Sequence, residues 1–301
     1  MSGSPWLGLS LLIAVSLLWG TSFVLIEIAA RDYGALSMAL SRAAVAAVFL
    51  GAVALPAVHR LRIDARIWSR IVSLSVVGQV LPFFLLGLSG RLTSSSSSAV
   101  MMGAAPIATI VVARLMFHER WSAGRWLGVV IAGAGVVIAF GWNGILLSPA
   151  QAGFGADDSI GKLCALGAAL GYAFGAIIFR SIPSQIPPIV VAATSLSCSS
   201  LLLAGGAVLQ GDALAAFGRA DAASSTALIA LGVLNTGCAY AIYYKLISIS
   251  GAGFASLNNY LVPIIGAMAG AVLLGEAISW NLTLGLLMIV CGIMLSALLQ
   301  K

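Results

Sequence analysis

The chain has 301 residues, of which 61% are hydrophobic and only 8% charged, with a mean hydropathy of +1.09. That balance excludes a soluble fold, whose surface needs far more charge, so the solvent for most of the chain is lipid. Continuous apolar runs of about 20 residues, rather than alternating ten-residue segments, then select helices over a barrel.

Ten apolar segments are predicted: 6–28, 35–56, 68–89, 95–117, 123–141, 161–180, 187–209, 225–248, 254–275 and 280–299. The N-terminus lacks a basic region and a clear cleavage site, so the first run reads as a retained helix rather than a signal peptide. Connections are short, except for 142–159 and 210–224, and the first of these is the natural join between two halves. The expected layout is a first five-helix repeat over 1–145, an outer connecting loop over 146–160 and a second repeat over 161–301. Cys164, Cys198, Cys238 and Cys291 fall in four different runs with no metal spacing and read as small hydrophobes.

The halves are similar in sequence. Ser94–Ala139 matches Gly251–Ser296 at a constant offset of 157, which pairs Pro106 with Pro263, Glu119 with Glu276, Ser122 with Ser279, Gly128 with Gly285 and Gly135 with Gly292. The match extends upstream, and the first helices align so that Trp19 falls on Tyr172. Ser122 and Ser279 stand where N-caps of the following helices belong. Pro106 and Pro263 are expected to kink their helices and to deprive Met102 and Asn259 of a partner for their carbonyls, whether this only shapes packing or also lines a cavity. Five helices per half is an odd number, so the second half enters the membrane from the opposite side, an inverted repeat. Small-residue stripes at Gly167, Gly171 and Gly175, at Gly124 and Gly128, and at Gly266 and Gly270 point to close helix contacts, chiefly within one chain.

Charge placement agrees with that layout. With the N-terminus cytoplasmic, inner connections carry Arg60, Arg62, Arg66, Arg70, Arg114, Arg120, Arg125, Arg180, Lys245 and Lys301. The outer ones carry Arg31, Arg91, Lys162 and Arg219 among Asp32, Asp157, Asp158, Asp212, Asp221 and Glu276. The positive-inside rule is satisfied with both termini cytoplasmic, and the net charge of +6 is accounted for without nucleic acid.

Polar groups at mid-depth are the candidates for a transport site, because lipid does not accept them outward. Of the charged residues, Glu27, Arg42 and Lys245 are the ones read as lying at membrane depth rather than in the connections. Glu27 and Arg42 lie at similar depth near the outer side. They read either as an ion pair forming a gate or clamp, or as leaving Arg42 to meet a substrate carboxylate. A Glu27 clamped to Arg42 would not titrate near neutral pH. Lys245 is expected to snorkel to the interface. The cavity candidates are Trp19, Gln79, Met101, Met102, Tyr172, Asn235, Tyr240, Tyr244, Asn258, Asn259 and Tyr260, with Tyr243 beside them on the eighth helix. Asn258, Asn259 and Tyr260 replace Met101, Met102 and Gly103 of the first copy, so the second copy sets two amides and a phenol ahead of its proline. Amides, phenols and methionines together suit a neutral or zwitterionic, partly apolar solute. Trp6, Trp142 and Trp280 read as interfacial belt residues.

The two repeats, the opening LLWGTSF (Leu17–Phe23), the proline ahead of a glutamate in each half and the glycine-rich closing helix together resemble the EamA branch of the drug/metabolite transporter superfamily. The resemblance spans essentially the whole chain. It implies ten helices as two inverted five-helix repeats around a central cavity, and a secondary transporter of the bacterial cytoplasmic membrane. Bacterial exporters of amino acids, aromatic ones included, are the nearest type, with multidrug or purine and nucleoside-type metabolite export as the alternative. Phosphorylated solutes are disfavoured, since few cations are available to hold them. No cofactor or metal is expected, and the partners are a small solute and the lipid bilayer, with the protein a monomer or homodimer. His59 and His118 fall in predicted loops and no intramembrane nucleophile, carboxylate pair or ligand set is visible, which disfavours an enzyme. A channel would show a filter motif or rings of like charge.

Overall fold

The computed structural model describes residues 5–58, 64–117, 122–141, 156–210 and 218–298, so Trp142, His59, His118 and Glu119 lie outside the described residues. Ten helical spans are seen: α1 (Pro5–Ala29), α2 (Ala35–Val58), α3 (Ala65–Leu92), α4 in two pieces (α4a, Ser95–Met102; α4b, Ala105–Phe117), α5 (Ala123–Phe140), α6 (Ala156–Arg180), α7 (Pro188–Gln210), α8 (Ala222–Gly251), α9 (Asn258–Leu274) and α10 (Trp280–Leu298). Nine of them are long and apolar enough to cross a membrane, and α9 is a shorter apolar helix of 17 residues. The chain is an integral membrane protein with the two-repeat, all-helical fold its sequence predicts.

Start signals recur in both copies. Asp64 accepts the Ile67 N–H at 2.8 Å ahead of α3, and Asp221 accepts the Ser224 N–H at 2.6 Å ahead of α8. Ser122 and Ser279 take the N–H groups of Arg125 and Leu282 at 3.3 and 3.2 Å, the capping their spacing predicts. A feature that hydrophobic periodicity does not signal is duplicated as well: α3 widens into a π-turn at Val76–Val80 and α8 into one at Val233–Cys238, again 157 residues apart. Both π-turns carry side chains that cross to another helix. Gln79 donates to Ser195 and accepts from Ser199 on α7, while Asn235 donates to the Leu18 carbonyl on α1.

The prolines act differently from simple mid-run kinks. The first apolar run breaks completely at Gly103–Ala104, and Pro106 is the second residue of the restarted helix α4b, where its missing N–H costs nothing. In the second copy the interruption lies upstream of the proline, around Gly251 (φ 81°) and the turn at Ser256–Leu257, so Pro263 is the sixth residue of α9.

The halves meet along bare backbone. A methyl on Gly128 would strike the backbone at Gly292 and Ser296, and one on Gly135 would strike Gly285 and Ile289. Because 128 meets 292 while 135 meets 285, α5 and α10 run antiparallel, as two helices related by an inverted repeat must. The α6 glycines Gly171 and Gly175 lie in the same way against Val77, Gly78 and Pro82 of α3. Trp6 and Trp280 are exposed at helix ends, and Lys245 is exposed near the end of α8.

Candidate functional site

A cavity of about 540 Å³ lies between the halves, lined from eight of the ten spans. It contains Trp19 on α1, Arg42 on α2, Met102 and Pro106 beside the α4 break, Tyr172 on α6, Tyr240 and Tyr243 on α8, and Asn258, Asn259, Tyr260 and Pro263 at the start of α9. Helix breaks at α4 and before α9 bring main chain and polar side chains to the same depth, an arrangement tolerated in a membrane only where backbone lines a cavity. Ala297, one residue from the end of α10, and Ser256 in the turn before α9 also line it, so it extends toward the face that carries both termini. Toward the opposite face its lining ends at Phe23 and Leu86, both buried.

Its aromatic wall is contiguous. Trp19 stands edge-on to Tyr240 with ring centres 5.9 Å apart and tilted to Tyr243 at 5.0 Å. Tyr244, expected in the cavity, instead stacks behind Tyr240 at 5.9 Å and against Phe179 at 6.3 Å, supporting the wall. Three other expected residues also lie away from the cavity lining. Gln79 is held between Ser195 and Ser199 at 2.8 and 2.6 Å; Met101 is fully buried in the packing around Ile289; Asn235 ties α8 to Leu18 and Thr21 of α1. Asn258 lines the cavity with its carbonyl oxygen already accepting from Ser16 at 2.9 Å, while Asn259 is exposed toward the mouth. Ser22 and Thr109 join the lining without having been singled out, since neither differs in type from residues that only pack.

The expected Glu27–Arg42 ion pair does not form. Arg42 is buried, donates its Nε–H to the Thr236 hydroxyl at 2.9 Å and places its guanidinium 4.3 Å from the Phe83 ring centre. Thr236 in turn donates to the Leu231 carbonyl, five residues back in the π-turn, at 2.8 Å, so the hydroxyl is oriented to accept from Arg42. Glu27 faces the other way. Its carboxylate accepts the Ser95 N–H at 2.6 Å and comes within hydrogen-bonding reach of Glu276. Glu276 accepts from the Ser95 N–H at 2.9 Å, the Ser95 hydroxyl at 2.7 Å and the Ser96 N–H at 2.8 Å. Two carboxylates from different repeats thus converge on the N-terminus of α4a, where main-chain N–H groups and the helix dipole favour negative charge. Gly270 leaves the room for this contact, as a methyl there would strike Ser95, Ser96 and Glu276. Glu27 and Arg42 stand at compatible depths in sequence, but the rotation of α1 and α2 about their axes separates the two side chains.

The geometry fits a solute-binding cavity closed at one end, and comparison with known proteins gives it a family. The profile of the EamA-like transporter family matches residues 6–141 and again 159–298. The chain belongs to the EamA-like transporter family. Among similar proteins, the uncharacterised transporter YvbV of Bacillus subtilis is 26% identical over 290 residues, covering 95% of this chain and 90% of its own. An uncharacterised transporter of Archaeoglobus fulgidus is 22% identical over 288 residues, 96% of either chain. A crystal structure with 18% sequence identity superposes with a TM-score of 0.63 over 99% of both chains, which supports the EamA fold alone. The protein is accordingly a membrane transporter of this family.

Proposed function

We propose that the protein is a secondary exporter of small metabolites in the cytoplasmic membrane of a bacterium, working by alternating access, with large neutral and aromatic amino acids as its solutes. The single observation that carries this reading is the central cavity, in which Arg42 and the amides of Asn258 and Asn259 share one space with the Trp19, Tyr240 and Tyr243 rings. A guanidinium and amides suit a carboxylate and an amino group, and the rings suit an apolar side chain. The halves 1–145 and 161–301 act as the two bodies that rock about this site. Both termini are cytoplasmic in this reading, on the strength of the arginines near the termini-bearing face. The cavity, extending to that face, then belongs to a form open to the cytoplasm.

The test is uptake into liposomes holding the purified protein, with labelled amino acids as solutes and nucleosides and sugar phosphates as competitors. Saturable uptake of large neutral amino acids, weakened by Trp19→Ala and by Asn259→Ala, is the expected result. Movement of nucleosides instead, with no amino-acid uptake, would replace the solute class.

A further inference from the structure

We propose that this cavity selects its solute by charge, holding amphipathic organic monocarboxylates, an aromatic ring on a short acid chain, more tightly than the zwitterionic amino acid with the same side chain. The proposal rests on the reading of the central cavity as the transport site and specifies what that site prefers.

Arg42 is the only charged residue among those lining the cavity; no aspartate, glutamate, lysine or histidine joins it among the described residues. It is 7% exposed, and the hydrogen bond from its Nε to Thr236 and its position over Phe83 fix the guanidinium on one side. No carboxylate forms an ion pair with it among the described residues. A buried cation without a counter-ion is costly, and the remaining N–H groups of a guanidinium suit the two oxygens of a carboxylate in a paired geometry. The solute's own carboxylate supplies the missing charge.

An ammonium group finds amides and ring faces in this cavity but no carboxylate. The Asn258 carbonyl oxygen is engaged by Ser16, and the two carboxylates in this part of the fold, Glu27 and Glu276, are turned to the α4a N-terminus and do not line the cavity. An amino acid entering the site therefore strips water from its ammonium for no ion pair in return, a cost the amine-free acid avoids. The two bind the same ring surface, so the difference lies in the head group alone.

The experiment compares 3-phenylpropionate, L-phenylalanine and phenethylamine, which share one ring and differ only in charged groups, by calorimetric binding to the full-length protein in nanodiscs and by uptake into liposomes. The expected order of affinity is 3-phenylpropionate above L-phenylalanine above phenethylamine, the first step set by the unpaired ammonium and the second, which loses the carboxylate, being about tenfold or more, the scale of one charge-assisted bond. Arg42→Gln should weaken the acid and the amino acid alike by about tenfold and leave phenethylamine no weaker, and Arg42→Lys, which keeps the charge without the fork, should retain part of the carboxylate binding. Equal or tighter binding of L-phenylalanine, binding of none of the three, or undiminished binding of 3-phenylpropionate in a folded Arg42→Gln protein overturns the proposal. The two readings fail separately: 3-phenylpropionate bound in the expected order but not moved upholds the charge selection and rejects carriage through this cavity. Transport of L-phenylalanine in preference to the acid does the reverse.

Discussion

Arg42 and Gln79 show how much a residue's role depends on which way its helix turns. Both are buried polar side chains near the middle of an apolar span, yet Gln79 has both ends of its amide engaged on α7 while Arg42 faces the cavity with only Nε engaged. Sequence alone gives their depth and chemistry, not their facing, and for that reason Gln79, Met101, Asn235 and Tyr244, expected in the cavity, lie outside its lining. Two outcomes follow. Gln79→Ala should lower the melting temperature while leaving solute KM within about twofold, because it removes two bonds from α3 to α7 without touching the cavity; Trp19→Ala should raise KM with a smaller effect on melting. Arg42→Met should abolish carboxylate binding and yet leave the melting temperature of the empty protein little changed, since it removes the burial cost of the charge together with the Thr236 bond and the Phe83 contact. Thermal melts of the purified protein, with and without solute, check both.

At the level of the helix, the duplicated features were the most legible. An offset of 157 relates the Ser122 and Ser279 caps, the glycines of α5 and α10 and the proline positions of one half to those of the other in the sequence itself. The π-turns are not legible because widening a helix by one residue leaves no mark on composition, and the break at Gly103–Ala104 reads as a proline kink because the sequence shows the proline and not where the backbone gives way. The antiparallel glycine seam gives a sharp contrast in mutational cost. Gly135→Val should force α5 away from α10, since even a methyl there meets main chain at Gly285 and Ile289. Gly51→Ala on α2 has open space and should be neutral. Size-exclusion profiles in detergent after a temperature ramp separate the two, with loss of the monodisperse peak expected only for the valine variant.

Taken as a whole, the molecule has one end of its cavity near a surface and the other behind a polar seal. Cavity-lining residues run from Ala297 and Ser256 inward, whereas Glu27, Glu276, Ser95 and Ser96 tie α1, α4a and the α9–α10 connection together at the opposite face. Glu276→Ala removes three bonds to Ser95 and Ser96 and should weaken that face by on the order of 2 kcal/mol. In a background without the four native cysteines, Ala297→Cys should react with a membrane-impermeant maleimide from the termini-bearing side. Ser22→Cys, which lines the cavity, should stay protected from maleimide added on the opposite side until Glu276→Ala is added. Protection that persists in the double variant would assign the closure to the apolar packing of Phe23 and Leu86 instead. The inverted architecture was readable from the odd helix count per repeat, but which face is closed depends on contacts between residues some 180 positions apart, such as Ser95 and Glu276, that no local pattern announces. The π-turn of α8 has a consequence for the angular phase of everything after it. One residue corresponds to about 100° of helical rotation, so the extra residue held within Val233–Cys238 sets the direction in which Tyr240 and Tyr243 point. Deleting a single residue there would restore a regular helix of ordinary hydrogen bonding and at the same time swing both rings out of the cavity. Chain length at that one turn, rather than the identity of any side chain, aims the aromatic wall.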